Sequence, residues 1–415
     1  MSSMNLLYAQ SGGVTAVINA SAAGVIDAAR EHPGRIGKVL AARHGILGLL
    51  AEDIYDTTGV DTVALAHTPG GAFGSCRFDL PAEEDQPALY DRLFAVLDAH
   101  RIGAVLYNGG NGSMDLIGRL SVAARRRGFP LVCVGVPKTV DNDIEGTDCC
   151  PGFGSAAKYL ATSMREAGRD VASMTGRKGR VFVMEVMGRN VGWLAAATAL
   201  AARTPDEAPH IVLFPEVVFD EAAFLSRVQA VVERLGYCAV TVAEGLRGPD
   251  GGVLMKQDGD AKGYVQLGGA GETIAHLVHE RLGYKQHFSV PDYLQRAAGH
   301  WISATDHAQA IAVGRAAVGY VLEGRDGVSA AIRRLSDAPY AWDVVPVDAA
   351  EIANLERKLP AGFIAADGMG LTDAGRRYIQ PLICGELSTP CVNGLPAHYV
   401  IDRPLLPRQL PPYVA

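Results

Sequence analysis

The sequence predicts an α/β protein built on parallel sheets, and three observations carry that expectation. Short β-branched runs alternate with longer stretches of helical periodicity, the order produced by parallel strands joined through crossover helices. Most candidate strands are almost wholly apolar, as strands covered on both faces must be. The 415 residues, 48% hydrophobic and 20% charged, exceed one ordinary core and imply two or three domains of ordinary globular composition.

In chain order, the apolar runs predict strands over residues 5–9, 104–107, 131–136, 181–186, 211–214 and 238–242. Between them, alanine-rich stretches with scattered charges predict helices over 15–31, 154–175 and 191–202, each long enough to cross a sheet. Pro137, Gly146, Pro151 and Gly152 punctuate the chain and place a domain boundary within 137–150. The proline-rich end, 403–415, reads as an extended surface tail.

Composition also excludes several classes. A net charge of -7 offers little to nucleic acid, so any anion must be held by a local cluster of cations and backbone N–H groups. No apolar run reaches the roughly 18 residues of a membrane span, and no basic leader precedes an apolar stretch, so a cytoplasmic protein without membrane contact is expected. The seven cysteines are an odd set without a CxxC pair, and the eleven histidines lack HExxH or HxxxH spacing, which disfavours disulfides and zinc.

Ligands of parallel sheets bind beyond the carboxyl ends of the strands, which directs attention to three loops. Gln10-Ser-Gly-Gly13-Val-Thr15 matches neither GxGxxG nor the P-loop, and its glycines either bring backbone N–H groups to an anion or simply allow a tight turn. Asn108-Gly-Gly110-Asn111-Gly112-Ser113 has three glycines in five residues ahead of a predicted helix, which suits a phosphate cradle. The Asn111 carbonyl is placed to ligate Mg2+ or its water, or else Asn111 merely tolerates a left-handed turn. In Pro137-Lys138-Thr139-Val-Asp141-Asn-Asp143, an extended loop would turn Thr139, Asp141 and Asp143 to one side. Lys138 can meet phosphate as a point charge, and an aspartate can take a proton or hold a metal. A solvated acidic turn is the plain alternative.

Together these segments resemble the ordered signatures of the phosphofructokinase family. Glu185-Val-Met-Gly-Arg189, Asp148-Cys-Cys-Pro-Gly-Phe-Gly-Ser155, Phe214-Pro-Glu-Val217, Ala243-Glu-Gly245 and Tyr293-Leu-Gln-Arg296 extend the likeness over residues 4–396. Within the family, the pattern resembles the bacterial pyrophosphate-dependent branch. The resemblance implies two Rossmann-like domains facing each other across an active-site cleft. The donor domain would be 1–137, completed by part of 295–400, and the fructose 6-phosphate domain 138–294. It further implies a homodimer or homotetramer that, with Mg2+, phosphorylates the 1-hydroxyl of fructose 6-phosphate reversibly in glycolysis and gluconeogenesis.

By the same resemblance, Asp141 is the catalytic base and Lys138 the cation between donor and acceptor. Asn111 holds Mg2+, while Gly13, Arg77, Gly110 and Gly112 contact the donor. Thr139, Met187, Gly188, Arg189 and Glu244 contact the sugar, Tyr293 and Arg296 the 6-phosphate, and Arg180 reaches the site across a subunit interface. Two departures stand out. The position after Asn111 is usually aspartate in the pyrophosphate branch, with a carboxylate filling the space of an ATP α-phosphate, but here it is Gly112. ATP therefore remains the alternative donor, although Lys138 and the remaining pattern favour pyrophosphate. Ala23 stands where allosteric ATP enzymes carry an effector-binding arginine, so strong control through that position is not expected. A noncatalytic sugar-phosphate regulator is disfavoured because binding alone needs no general base such as Asp141.

Overall fold

The apolar runs form strands β1 (Met4–Gln10), β2 (Ile36–Ala42), β3 (Ile54–Asp56), β4 (Ile102–Gly109), β5 (Val132–Pro137) and β6 (Arg180–Val186), followed by β7 (Ile211–Leu213), β8 (Tyr237–Ala243), β9 (Lys285–Ser289), β10 (Val328–Asp337) and β11 (Tyr340–Asp348). The structure, a computed structural model, describes residues 3–175, 179–254 and 267–413. Every strand and helix expected from the sequence is present. The helices are Ile18–Arg30, Phe153–Ser173 and Trp193–Thr198, the last continued by a 3-10 turn to Ala201. Strands β2, β3, β9 and the hairpin β10–β11 were not expected from the sequence. These are shorter, more polar, or, for β10–β11, turned partly to solvent.

The chain divides into two units, Met1–Ser155 with Ala297–Glu356 and Gly385–Ala415, and Ala156–Arg296 with Arg357–Cys384. The first holds a seven-stranded sheet ordered β11-β10-β5-β4-β1-β2-β3, parallel except where β3 and β11 pair antiparallel at its two edges. Leu7, Val105, Cys133 and Ile117 lie in the core on one side of this sheet. The second holds the all-parallel sheet β7-β8-β6-β9, with a core that includes Val181, Val240 and Ile274.

Residues 138–155 therefore stay with the first unit, although the sequence suggested a division at 137–138. Long-range bonds explain the difference. Asp148 N donates to the Ile332 oxygen of β10 at 2.7 Å, and Thr139 bridges Gly152. Gly152 N and Ser155 N both donate to the Asp306 carboxylate, at 2.8 and 2.9 Å. The proline-rich end carries no regular structure, yet it is held down. Leu406 N donates to Ile54 O at 2.8 Å, and Leu406, Leu410 and Tyr413 pack against the first core.

Candidate active site

In the first unit, the register sets three strand ends level, with Gln10 opposite Asn108 and Asn108 opposite Val136. β1 lies between β2 and β4, so successive connections leave it in opposite directions, which is the switch point where open α/β sheets bind ligands. A buried polar network fixes this edge. Asn108 donates to Tyr8 Oη at 2.7 Å and Gln10 to Asn19 Oδ1 at 2.9 Å, while Asn19 donates to the carbonyls of Thr68 and Gly70. Because these amides are fully buried, their partners are obligatory, and they tie both strand ends to the segment leading to Arg77.

Lys138 joins the three loops. Only 3% exposed, it donates from Nζ to Gly13 O at 2.7 Å and from its backbone N to Gly109 O at 3.0 Å. Gly12 sits at φ 72° against it, and Gly12 N donates to Cys76 O, which draws Arg77 to the same end of the sheet. The glycines of the second loop have separate causes. A side chain on Gly109 would collide with Ser113 Oγ, whereas those on Gly110 and Gly112 would meet nothing closer than 3.8 and 3.5 Å. Packing thus accounts for one glycine, and the other two leave open surface beside the start of the helix Asn111–Arg126, which has no side-chain cap.

Asn111 lies in that helix's first turn; the left-handed residue is Asn142, at φ 58°. Asn111 Nδ2 donates to Asp143 O and Oδ2, at 3.3 and 3.1 Å, leaving its Oδ1 buried and without a hydrogen-bond partner. Burial holds the Asp143 carboxyl above the usual carboxylate range. Along the third loop, Val140, Asn142 and Ile144 are buried and Thr139, Asp141 and Asp143 half-buried, so the expected alternation is present. Thr139 Oγ1 accepts from Asp141 N at 3.1 Å, which fixes the two relative to each other. Among the described residues, no three His, Cys, Asp or Glu side chains cluster to hold a metal.

In the second unit, Val186 lies opposite Ala243, and the turns that follow are bonded together. Glu244 N donates to Val186 O at 2.9 Å, Gly245 N to Gly188 O at 3.2 Å and Gly188 N to Glu244 Oε1 at 3.4 Å. Gly188 has φ 138°, and a side chain on Gly245 would strike Arg189 O. Met187 and Glu244 line a pocket of about 350 Å3 together with Glu185, Asp292 and Gln295. Burial, reinforced by the nearby Glu185 carboxylate, pushes the Glu244 carboxyl up to about 7. Tyr293, 62% exposed, and Arg296, stacked 4.0 Å over its ring, lie outside that wall. Arg180 begins β6, about 20 Å of strand away from Met187.

Further residues of these sites, two of them inside the quoted signatures, had no role expected from the sequence. Gln295, 2% exposed, accepts from Met187 N at 3.1 Å, and Glu185 accepts from Gly269 N and Gly271 N. Asp306 anchors the third loop from the helix Ala304–Glu323, which Ser303 caps and which was not expected from the sequence. Its pairing with that loop was not legible in the sequence.

A family model described as phosphofructokinase matches residues 5–321. The chain belongs to the phosphofructokinase family. Among phosphofructokinase relatives, pyrophosphate–fructose 6-phosphate 1-phosphotransferase of Methylococcus capsulatus is 50% identical over 414 residues, 99% of each chain. The protein of the same description from Xanthomonas campestris is 51% identical over 417 residues, again 99% of each. The crystal structure of pyrophosphate-dependent phosphofructokinase from Nitrosospira multiformis superposes with a TM-score of 0.92 at 46% identity, covering 100% of both chains. That from Marinobacter aquaeolei gives 0.90 at 46%, over 99% of this chain and 100% of its own. The phosphofructokinase signatures are thus accompanied by a matching fold along the whole chain.

Proposed function

We propose that this chain transfers a phosphoryl group from pyrophosphate to the 1-hydroxyl of fructose 6-phosphate, yielding fructose 1,6-bisphosphate and orthophosphate among the sugar phosphates of the cytoplasm. The observation that carries this reading is the junction at Lys138, where one buried residue ties three strand-end loops together, its ammonium bonding Gly13 O and its backbone N bonding Gly109 O, beside two open glycines and an uncapped helix start. Buried positive charge, free-standing backbone and a helix N-terminus are what a diphosphate needs in a chain whose overall charge is negative. The preference for pyrophosphate rests on the similarity to the relatives so described.

Asp141 takes the proton of the 1-hydroxyl as that oxygen bonds to phosphorus and the bridging oxygen leaves with orthophosphate. Thr139, bonded to the Asp141 amide, orients both base and sugar. Lys138 offsets charge on the transferring group, and Gly13, Gly110, Gly112 and Arg77 receive the donor. The unpartnered, buried Asn111 Oδ1 fits a hard cation that keeps most of its water, which is how Mg2+ is ordinarily held. When bound, Mg2+ supplies neutralisation of the donor's phosphate oxygens. On the second unit, Met187, Gly188, Arg189 and Glu244 receive the sugar, and Tyr293 with Arg296 the 6-phosphate. Arg180, at the far end of its strand, serves the site only from a second copy, so a homodimer or homotetramer belongs to the reading.

The test is turnover of fructose 6-phosphate with Mg2+ and either pyrophosphate or ATP, for the native chain and Asp141→Ala. We expect pyrophosphate to support turnover, and Asp141→Ala to lose roughly two to four orders of magnitude while still binding fructose 6-phosphate. Activity with ATP alone, or near-native turnover of the variant, would overturn the donor or the base respectively.

A further inference from the structure

Gly112 leaves open the position where a carboxylate would bar a longer donor, and the structure supplies a carboxylate from elsewhere. Cys76 and Phe78 pack against the first core and Leu80 lies in it, so the intervening Arg77 and Asp79 project together to the exposed side. A Cβ built on Gly112 would stand 3.5 Å from Asp79 Oδ1. Asp79 therefore borders the room that the missing side chain leaves over the first turn of the helix Asn111–Arg126, at van der Waals distance from it. A negative group is electrostatically favoured there, so the helix itself helps to keep it in place.

We propose that Asp79 restricts the phosphoryl donor to a two-phosphate chain. The inference rests on the donor cradle assigned above, which begins at the buried Lys138 and runs outward past Gly110 to Gly112. Two phosphates are accommodated by this cradle. The third phosphate of a nucleoside triphosphate, with the ribose behind it, has to continue past Gly112 and meets the carboxylate. Exclusion thus comes from like charge and from volume, both directed against the wrong donor. Arg77 and Asp79 act as a pair on one exposed edge, one attracting the anion and the other limiting its length. A Cβ alone at Gly112 would only touch that carboxylate, whereas an aspartate at this position would bring a second negative group against it.

The experiment compares kcat/KM for MgATP and for magnesium pyrophosphate in the native chain, in Asp79→Asn, and in Asp79→Asn combined with Gly112→Asp. Calorimetric binding of MgATP and of fructose 6-phosphate is measured alongside, the latter reporting that each protein is folded. We expect the ATP-to-pyrophosphate ratio to rise roughly tenfold or more in Asp79→Asn, with tighter MgATP binding. The ratio should return toward the native value when Gly112→Asp restores a carboxylate from the helix side. A ratio unchanged within about twofold, in a native enzyme that does use pyrophosphate, overturns the role of Asp79 and leaves the donor reading standing. A native enzyme that uses ATP and ignores pyrophosphate overturns both.

Discussion

At the scale of single residues, Glu244 is the titratable group whose surroundings matter most to the sugar side. Its carboxyl is pushed up to about 7, chiefly by burial, yet accepting sugar hydroxyls is easiest for an ionised carboxylate. The KM for fructose 6-phosphate should therefore fall as pH rises from 6 to 8 in the native chain. In Glu244→Gln it should stay flat over that range and lie roughly tenfold higher at pH 8. Stability moves in the opposite sense. A carboxyl whose folded pKa lies above its unfolded value, about 4.3, favours the folded state at low pH and loses that contribution as pH rises through 7. Glu244→Gln should accordingly melt above the native chain at pH 8, with the gap closing near pH 4. Groups common to both proteins cancel in that difference, so Tm curves that stay parallel across the range would remove Glu244 as the cause.

At the scale of elements, the catalytic loop is held by a helix distant in sequence. Asp306 is fully buried, accepts from Gly152 N, Ser155 N and Ser155 Oγ, and is pushed up to about 6 by that burial. Asp306→Ala would leave two amides and a hydroxyl unpaired in the interior, a loss of about 2–4 kcal/mol in denaturant unfolding. Turnover should fall as well, because the loop from Thr139 to Gly152 loses its far anchor. Asp306→Asn keeps one acceptor and should be intermediate, and an alanine variant within about 0.5 kcal/mol of native would refute the anchoring role. The contrast also shows what a sequence discloses. Central strands such as β1, β4, β5 and β8 were legible because burial on both faces demands unbroken apolar runs. The three loops were legible through local composition alone. The roles of Asp306, Gln295 and Asp79 were not, because each acts on residues far along the chain, and even within the Tyr293–Arg296 signature nothing marks Met187 as the partner of Gln295.

At the scale of the whole molecule, the same limit explains the domain division. Pro137 and the glycines after it marked a break in periodicity, but the bonds of 148–155 to β10 and Asp306 carry that segment back to the first sheet. The C-terminal tail repeats the pattern. Its prolines announced an extended segment, whereas its attachment depends on Glu52, a left-handed residue 1% exposed. Glu52 accepts from Gln409 N at 2.9 Å and Leu410 N at 3.0 Å, and His100 Nε2 lies 2.9 Å away. Burial opposes its ionisation, but these bonds outweigh it and hold the carboxyl below the usual range. Truncation after Asp402 would strip those donors from a buried carboxylate and uncover the core beneath Leu406 and Leu410. We expect a loss of about 2–5 kcal/mol for the first unit. Because the folded pKa is depressed, the Glu52 share of tail docking is present above about pH 4.3 and fades as pH falls through the folded value. The Tm gap between full-length and truncated chains should therefore be wide at pH 7 and narrow in acid. Glu52→Gln should narrow it at pH 7 in the full-length background, and a gap indifferent to both changes would show that apolar packing alone holds the tail.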